Sequence, residues 1–302
     1  MSLVAVGTVA FDDIETPAGR AEKIVGGACT YISLAASYFV TPVRIVSVVG
    51  DDFPADMLEY LKKRGVDLEG LQIKPGEKSF FWAGKYHRDL NSRDTLDTQL
   101  NVLATFDPVL PESYRKADFL MLGNLMPQVQ MRVLEQVTRR PKLVALDTMN
   151  FWMDNTLPEL LEVLKKIDVL IINDEEARQL SGEHALVTAA KAIHQMGPKY
   201  LVIKKGEHGA LLFHRGDMFY APALPLAEVT DPTGAGDTFA GGFMGWIAKT
   251  GDTSFANLKR GIIYGSAMAS FCVEKFGTER LKGLTPAMIE KRVKQFADLV
   301  HF

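Results

Sequence analysis

Short runs of valine, isoleucine and leucine recur along this chain with stretches of helical spacing between them, and no other feature narrows the fold as much. LVAVG (3–7), VRIVSVVG (43–50), FLMLG (119–123), LVALDTM (143–149), VLIIN (169–173) and YLVIKKG (200–206) read as strands. Their apolar cores are continuous rather than alternating, the pattern of strands buried on both faces. Between them lie TYISLAASYF (30–39), PADMLEYLKKRG (54–65), QVQMRVLEQVTR (128–139), LPELLEVLKK (157–166) and ALVTAAKAIHQMG (185–197). These carry apolar residues at helical spacing, as Met57, Leu58 and Leu61 do. Strand–helix alternation of this kind predicts an α/β fold with a parallel sheet between helices. The C-terminal third reads as mostly helical.

Two stretches break the rhythm. DDIETPAGRAEKIVGG (12–27) and KSFFWAGKYHRDLNSRDTLDTQLN (78–101) mix polar and aromatic residues without a helical period. They are expected to form one small antiparallel sheet standing off the main body, a lid of about 12–27 and 73–104. Ordinary surface hairpins are the plainer alternative. No repeat, low-complexity tract or linker divides the 302 residues, so one domain over 1–302 with an inserted lid fits better than two in tandem.

The formal net charge of −3 gives no basic field to draw nucleic acid or an anionic membrane. No apolar run reaches the ~18 residues of a membrane span. The opening MSLVAVGTVAFDD lacks a basic leader and reads as a first strand. Cys29 and Cys272 are too few and too far apart for a disulfide framework. Cytoplasmic residence is the expectation.

DPTGAGDTFAGGF (231–243) packs four glycines and two aspartates into thirteen residues. Phe239, Phe243, Trp246 and Ile247 then recur at helical spacing, which puts the glycines at a helix N-terminus. Free N–H groups and the positive end of the helix dipole make such a place an anion site. Asp237 at its mouth has two readings. It could take a proton from a hydroxyl that attacks a phosphate, or it could be a first-turn acid stabilised by the dipole.

DPTGAGD resembles the C-terminal signature of the PfkB, or ribokinase-like, carbohydrate and nucleoside kinases. Asn173-Asp174-Glu175-Glu176 matches that family's N-x-x-E motif. KKGEHGALLF (204–213) is similar to its strand–glycine–strand segment, and Gly26-Gly27 precede the first long helix as in relatives. GDDFPADMLEYLKKRGVD (50–67) is a further familiar stretch. The resemblance covers nearly the whole chain. It implies a ribokinase-like three-layer α/β/α sandwich with a small antiparallel β lid.

It also implies an ATP- and Mg²⁺-dependent phosphotransferase. Asp237 would be the catalytic base, and Gly234, Ala235 and Gly236 the anion hole. Asn173 and Glu176 would hold the magnesium through its waters; the alternative is a helix cap and capping box. Lys204 and Gly206 would line the nucleotide, with Ser266 and Ala267 at the adenine cleft. A monovalent cation near Asp231 belongs to the same pattern. On the acceptor side, Asp12 would grip sugar hydroxyls and Gly26 and Gly27 would let the backbone approach; Asp13 leaves room for a slip of one.

Two departures bear on the acceptor. Tyr31 stands where sugar-phosphorylating relatives often carry asparagine and would offer the acceptor a ring face and one hydroxyl, and Phe151 stands where ketodeoxygluconate-type relatives carry arginine. Phe80, Phe81, Trp82 and Tyr86 make the lid aromatic, either to cover a flat group or as lid core. An adenosine-like nucleoside acceptor is therefore expected over a free sugar. A ribokinase- or fructokinase-like activity, a hydroxymethylpyrimidine or pyridoxal kinase, and a non-catalytic nucleotide sensor are the alternatives. Exposed lid edges would suit a homodimer.

Overall fold

The computed structural model describes residues 1–301. Thirteen strands form two sheets. They are β1 (Leu3–Val6), β2 (Ala10–Thr16), β3 (Gly19–Gly26), β4 (Val43–Gly50), β5 (Val66–Lys74), β6 (Phe80–Tyr86), β7 (Arg93–Gln99), β8 (Phe119–Leu122), β9 (Leu143–Asp147), β10 (Val169–Asn173), β11 (Tyr200–Lys204), β12 (Ala210–His214) and β13 (Asp217–Ala221). Nine build the main sheet in the order β13-β12-β11-β10-β9-β8-β1-β4-β5. Its strands run parallel from β5 to β11, and the β12–β13 edge is antiparallel.

The apolar runs explain the layering. Alternate residues of each central strand face opposite sides of the sheet. Leu3, Ala5, Leu143, Ala145, Val169 and Ile171 join one core cluster, with residues of the helices Ala28–Ala36 and Ala235–Thr250. Val4, Val6, Val144, Leu146, Leu170 and Ile172 join the other, with the helices Pro127–Gln136 and Leu157–Leu164. The expected three-layer α/β/α arrangement follows. No helix among the described residues is long and apolar enough to cross a membrane.

The remaining four strands make a separate sheet in the order β3-β2-β6-β7. It consists of two antiparallel hairpins, and their inner strands β2 and β6 run parallel where the hairpins meet. Its bounds differ from the expected ones. Residues 73–74 belong to β5 at the edge of the main sheet, and residues 101–105 form a 3-10 turn whose Val102 and Leu103 pack into the main core. Polar residues on the half-exposed β5 hide its strand character.

Candidate active site

Three neighbouring parallel strands end at one place. Asn173 pairs in register with Lys204, and Asp147 with Ile171, so the carboxyl ends of β9, β10 and β11 bring an acid, an amide and an amine together. Crevices beyond such strand ends are where open α/β sheets bind ligands. Lys204 Nζ lies 3.3 Å from Asp147 Oδ1, with side chains 18% and 8% exposed. A Cβ on Gly236 would sit 2.9 Å from the same Nζ, so the ammonium lies against the glycine turn. Sequence reading missed Asp147. Its signal was one acid closing the apolar run LVALD.

Asn173 caps the helix Asp174–Ser181. Its Oδ1 accepts the Glu176 N–H at 2.8 Å, and Glu176 Oε2 accepts the Asn173 N–H at 2.7 Å, a complete capping box. Glu176 is nonetheless buried and faces the site. Burial pushes its carboxyl up to about 7, with the Lys204 charge the strongest opposing influence.

Gly234 begins the helix Ala235–Thr250 at φ 72°, and any side chain there would overlap the Tyr31 ring beneath it. Asp231, three residues before Gly234, is wholly buried and holds this turn. Its Oδ1 accepts the Thr233 N–H at 2.8 Å and its Oδ2 the Gly277 N–H at 3.0 Å. Asp237 follows in the first helical turn with Oδ1 buried and without a hydrogen-bond partner. Burial first, and then the Asp147 charge, lift Asp237 to about 7; Lys204 and Arg93 pull the other way.

On the other wall, Asp12 lies on β2 and is 4% exposed. Its carboxylate sits so close over Gly26 that no side chain fits there. Gly27, at φ 92°, turns the chain into the helix Ala28–Ala36, and a Cβ on it would come within 2.5 Å of Thr8 O. Burial, reinforced by Asp231 and Asp237, raises Asp12 to about 8. Asp13 points elsewhere: its Oδ1 accepts the Lys23 N–H at 2.6 Å and ties the hairpin. Asp12 is thus the aspartate nearest the motif.

Two expected residues need correction. Tyr31 presents no ring face to a ligand, because the ring is buried under the Gly234 turn; its hydroxyl, near Asp12, Asp231 and Asp237, has no hydrogen-bond partner. Ala267 is 0% exposed and cannot line a cleft. It falls on the inner face of the helix Phe255–Cys272, whereas Ser266 is half-buried on the outer one.

The small sheet touches the main body at the glycine turn and at Gly206. Thr233 Oγ1 donates to the Tyr86 hydroxyl at 3.3 Å, and Asn91 Oδ1 lies 2.5 Å from where a Gly206 Cβ would stand. Phe80 and Phe81 pack against the two separate core clusters. Trp82 lies over Gly84 and donates from Nε1 to Thr95 Oγ1 at 3.3 Å. Phe151 is exposed and packs edge-on against Trp152.

The pfkB family carbohydrate kinase model matches residues 2–282. The chain is 31% identical to a cytidine kinase of Thermococcus kodakarensis over 255 residues, covering 82% of this chain and 89% of that one. It is 25% identical to a nucleoside kinase of Methanothermobacter thermautotrophicus, covering 92% and 91%. Its fold is similar to that of aminoimidazole riboside kinase from Salmonella enterica, solved with aminoimidazole riboside and an ATP analogue: the TM-score is 0.78 at 21% identity, with 97% and 100% covered. A match of this extent, over a chain with an unpartnered acid at the glycine turn, places the protein in the pfkB family of carbohydrate kinases.

Proposed function

We propose that the protein transfers the γ-phosphoryl group of ATP to a primary hydroxyl of a nucleoside. The observation that carries this reading is Asp237: a buried carboxylate oxygen with no partner, in the first turn of a helix whose N-terminus is an anion site. The acceptor oxygen attacks the γ-phosphorus and gives its proton to Asp237. The bond to the bridging oxygen breaks, and ADP leaves with the electron pair. Main-chain N–H groups of Gly234, Ala235 and Gly236 receive the charge on the transferring group, each worth ~2.7–4 kcal/mol in comparable oxyanion sites. Lys204 stands beside them as a fixed cation. Asp12, with Gly26 and Gly27, holds the ribose hydroxyls.

Magnesium bound with ATP would neutralise phosphate charge. Glu176 and Asn173 fit a hydrated ion, because Mg²⁺ keeps several waters and needs few protein ligands. A monovalent cation near Asp231 would have to rely on main-chain carbonyls, since both Asp231 oxygens already accept N–H groups. We place the protein in the cytoplasm, where Cys29 and Cys272 stay as free thiols. A homodimer would join through the lid, whose edge strand β7 is exposed throughout.

The nucleoside preference rests on the cytidine and nucleoside kinase relatives and on the absence of an arginine at Phe151. A free sugar is the second reading, favoured by the engagement of Phe80, Phe81 and Trp82 within the protein. The deciding measurement is kcat/KM for adenosine, inosine, cytidine, ribose and fructose under one condition. A nucleoside should lead; ribose or fructose matching every nucleoside would overturn the preference.

A further inference from the structure

Tyr31 joins the two walls of the site. It lies in the first turn of the helix Ala28–Ala36, and its N–H donates to Gly27 O at 3.3 Å. Gly27 closes the wall that carries Asp12 and Gly26. The side chain runs to the opposite wall. A Cβ built on Gly234 would come within 2.4 Å of Tyr31 Cε2 and 2.5 Å of both Cδ2 and Cζ, and no other atoms lie as near to that position. Near-equal distances to three consecutive ring atoms put Gly234 over the face of the ring, at its hydroxyl end.

The ring has a firm backing. Tyr31 is buried and shares a core cluster with Ala35, Met268, Phe271 and Cys272. Its helix lies against the helix Ala235–Thr250 almost backbone to backbone. A Cβ on Gly241 would meet Ile32 O at 2.4 Å, and one on Gly245 would meet Ala36 Cα at 2.9 Å. Packing this close leaves little room for either helix to slide. Hydrogen bonds hold the flanks of the glycine turn. Asp231 Oδ1 accepts the Thr233 N–H at 2.8 Å, and Cys272 Sγ donates to Thr233 O at 3.6 Å. Gly234 O accepts the Thr238 N–H at 2.8 Å. Between them Gly234 is the residue with the widest choice of backbone conformations, and it stands at φ 72° with the ring face against its Cα. The plainer account is a core side chain filling space, which any apolar group of similar volume could do.

We propose that Tyr31 is a positioning residue for phosphoryl transfer: its ring is the strut that fixes Gly234, and with it the main-chain N–H groups of the glycine turn, at a set distance from the acceptor wall. This rests on the kinase reading above. The working part is the flat ring. The hydroxyl, buried without a hydrogen-bond partner among the described residues, is not required.

The experiment compares wild type with Tyr31→Leu, Tyr31→Phe and Phe243→Leu. Phe243 is wholly buried in the helix Ala235–Thr250, more than two turns beyond Gly234, and packs on Gly261. Its truncation leaves a cavity without touching the turn. Four quantities are read: kcat and acceptor KM, the ratio of affinities for a non-hydrolysable ATP analogue and for ADP, melting temperature, and hydrogen exchange of the Gly234 and Gly236 amides by NMR. Tyr31→Leu should lower kcat at least about tenfold, since a misplacement of ~1 Å can cost ~10²-fold. Acceptor KM should change little. The analogue-to-ADP affinity ratio should fall, because the third phosphate is the one that meets the turn, and the two amides should exchange faster. Phe243→Leu should lower the melting temperature to a similar degree and move none of the other readouts. Tyr31→Phe should restore kcat and melt no lower than wild type, since it removes a buried hydroxyl without a partner. The inference is overturned if Tyr31→Leu keeps kcat and the affinity ratio within about twofold of wild type. It is equally overturned if Phe243→Leu reproduces the losses, or if Tyr31→Phe loses as much as Tyr31→Leu, which would make the hydroxyl the working group. Should Tyr31→Leu not fold, Tyr31→Met, which fills the space without a flat face, takes its place under the same criteria. If wild type phosphorylates no acceptor, the kinase reading fails, while exchange of the Gly234 and Gly236 amides still decides for or against the strut.

Discussion

Lys204 Nζ and Asp147 Oδ1 stand 3.3 Å apart at the ends of β11 and β9, the two strands that flank β10, and this buried pair sets the charge felt by Asp237. Asp147 makes ionisation of Asp237 harder, and Lys204 makes it easier. If Asp237 must be ionised to accept a proton, activity rises with pH through a limb near 7. Asp147→Asn should move that limb to lower pH and Lys204→Met to higher pH, read from kcat/KM against pH. Shifts in the same direction would separate the pair from Asp237.

Asp237→Asn should cost ~10²- to 10⁴-fold in kcat, the usual contribution of a positioned base. Affinity for a non-hydrolysable ATP analogue should stay within about threefold, because the backbone donors remain. A variant keeping more than about a tenth of wild-type kcat would show that Asp237 is only a first-turn acid.

Glu176 caps a helix, and the magnesium role we propose for it can be separated from the cap by one substitution. In Glu176→Gln the amide oxygen can still accept the Asn173 N–H, so the capping box survives. Glu176→Ala loses the reciprocal bond to the Asn173 N–H, at a cost of about 1 kcal/mol for one hydrogen bond. Glu176→Gln should therefore melt close to wild type yet need more Mg²⁺ for half-maximal rate, with acceptor KM little changed. An unchanged magnesium titration would confine Glu176 to the cap.

Asp12 should make stability depend on pH. In the unfolded chain it ionises near 3.9, whereas burial holds it protonated to about 8 in the folded protein. Across that window the folded state binds the extra proton, so raising the pH destabilises the fold. Asp12→Asn removes this cost. Its melting temperature should exceed that of wild type by several degrees at pH 8 and by much less at pH 4. Equal differences at both pH values would mean that Asp12 ionises normally.

The main sheet was legible because its central strands are buried on both faces, which leaves an unbroken apolar run in the sequence. β5 was not, because VDLEGLQIK carries polar residues on a half-exposed edge. The glycine turn and the Asn173–Glu176 spacing were legible because each rests on a short local pattern. Asp147 was not, since an acid at the end of an apolar strand is common and its partner Lys204 lies 57 residues away. The phase of the small residues in the helix Phe255–Cys272 separates Ser266 from Ala267, and adjacency in sequence hides it.

The parallel seam of the lid has a consequence for how the molecule is made. Ala10 pairs with Phe80 and Glu15 with Lys85, so the strand bearing Asp12 waits for a partner seventy residues further along the chain. Closing so long a loop is entropically costly and slow compared with local pairing. A ribosome must release the segment through Tyr86 before the seam can form. Until then the strand bearing Asp12 has only its hairpin partner β3, and Asp12 in the newly made chain is open to water and ionised. The β2–β6 seam should therefore be among the last parts to gain protection in a pulse-labelled refolding experiment.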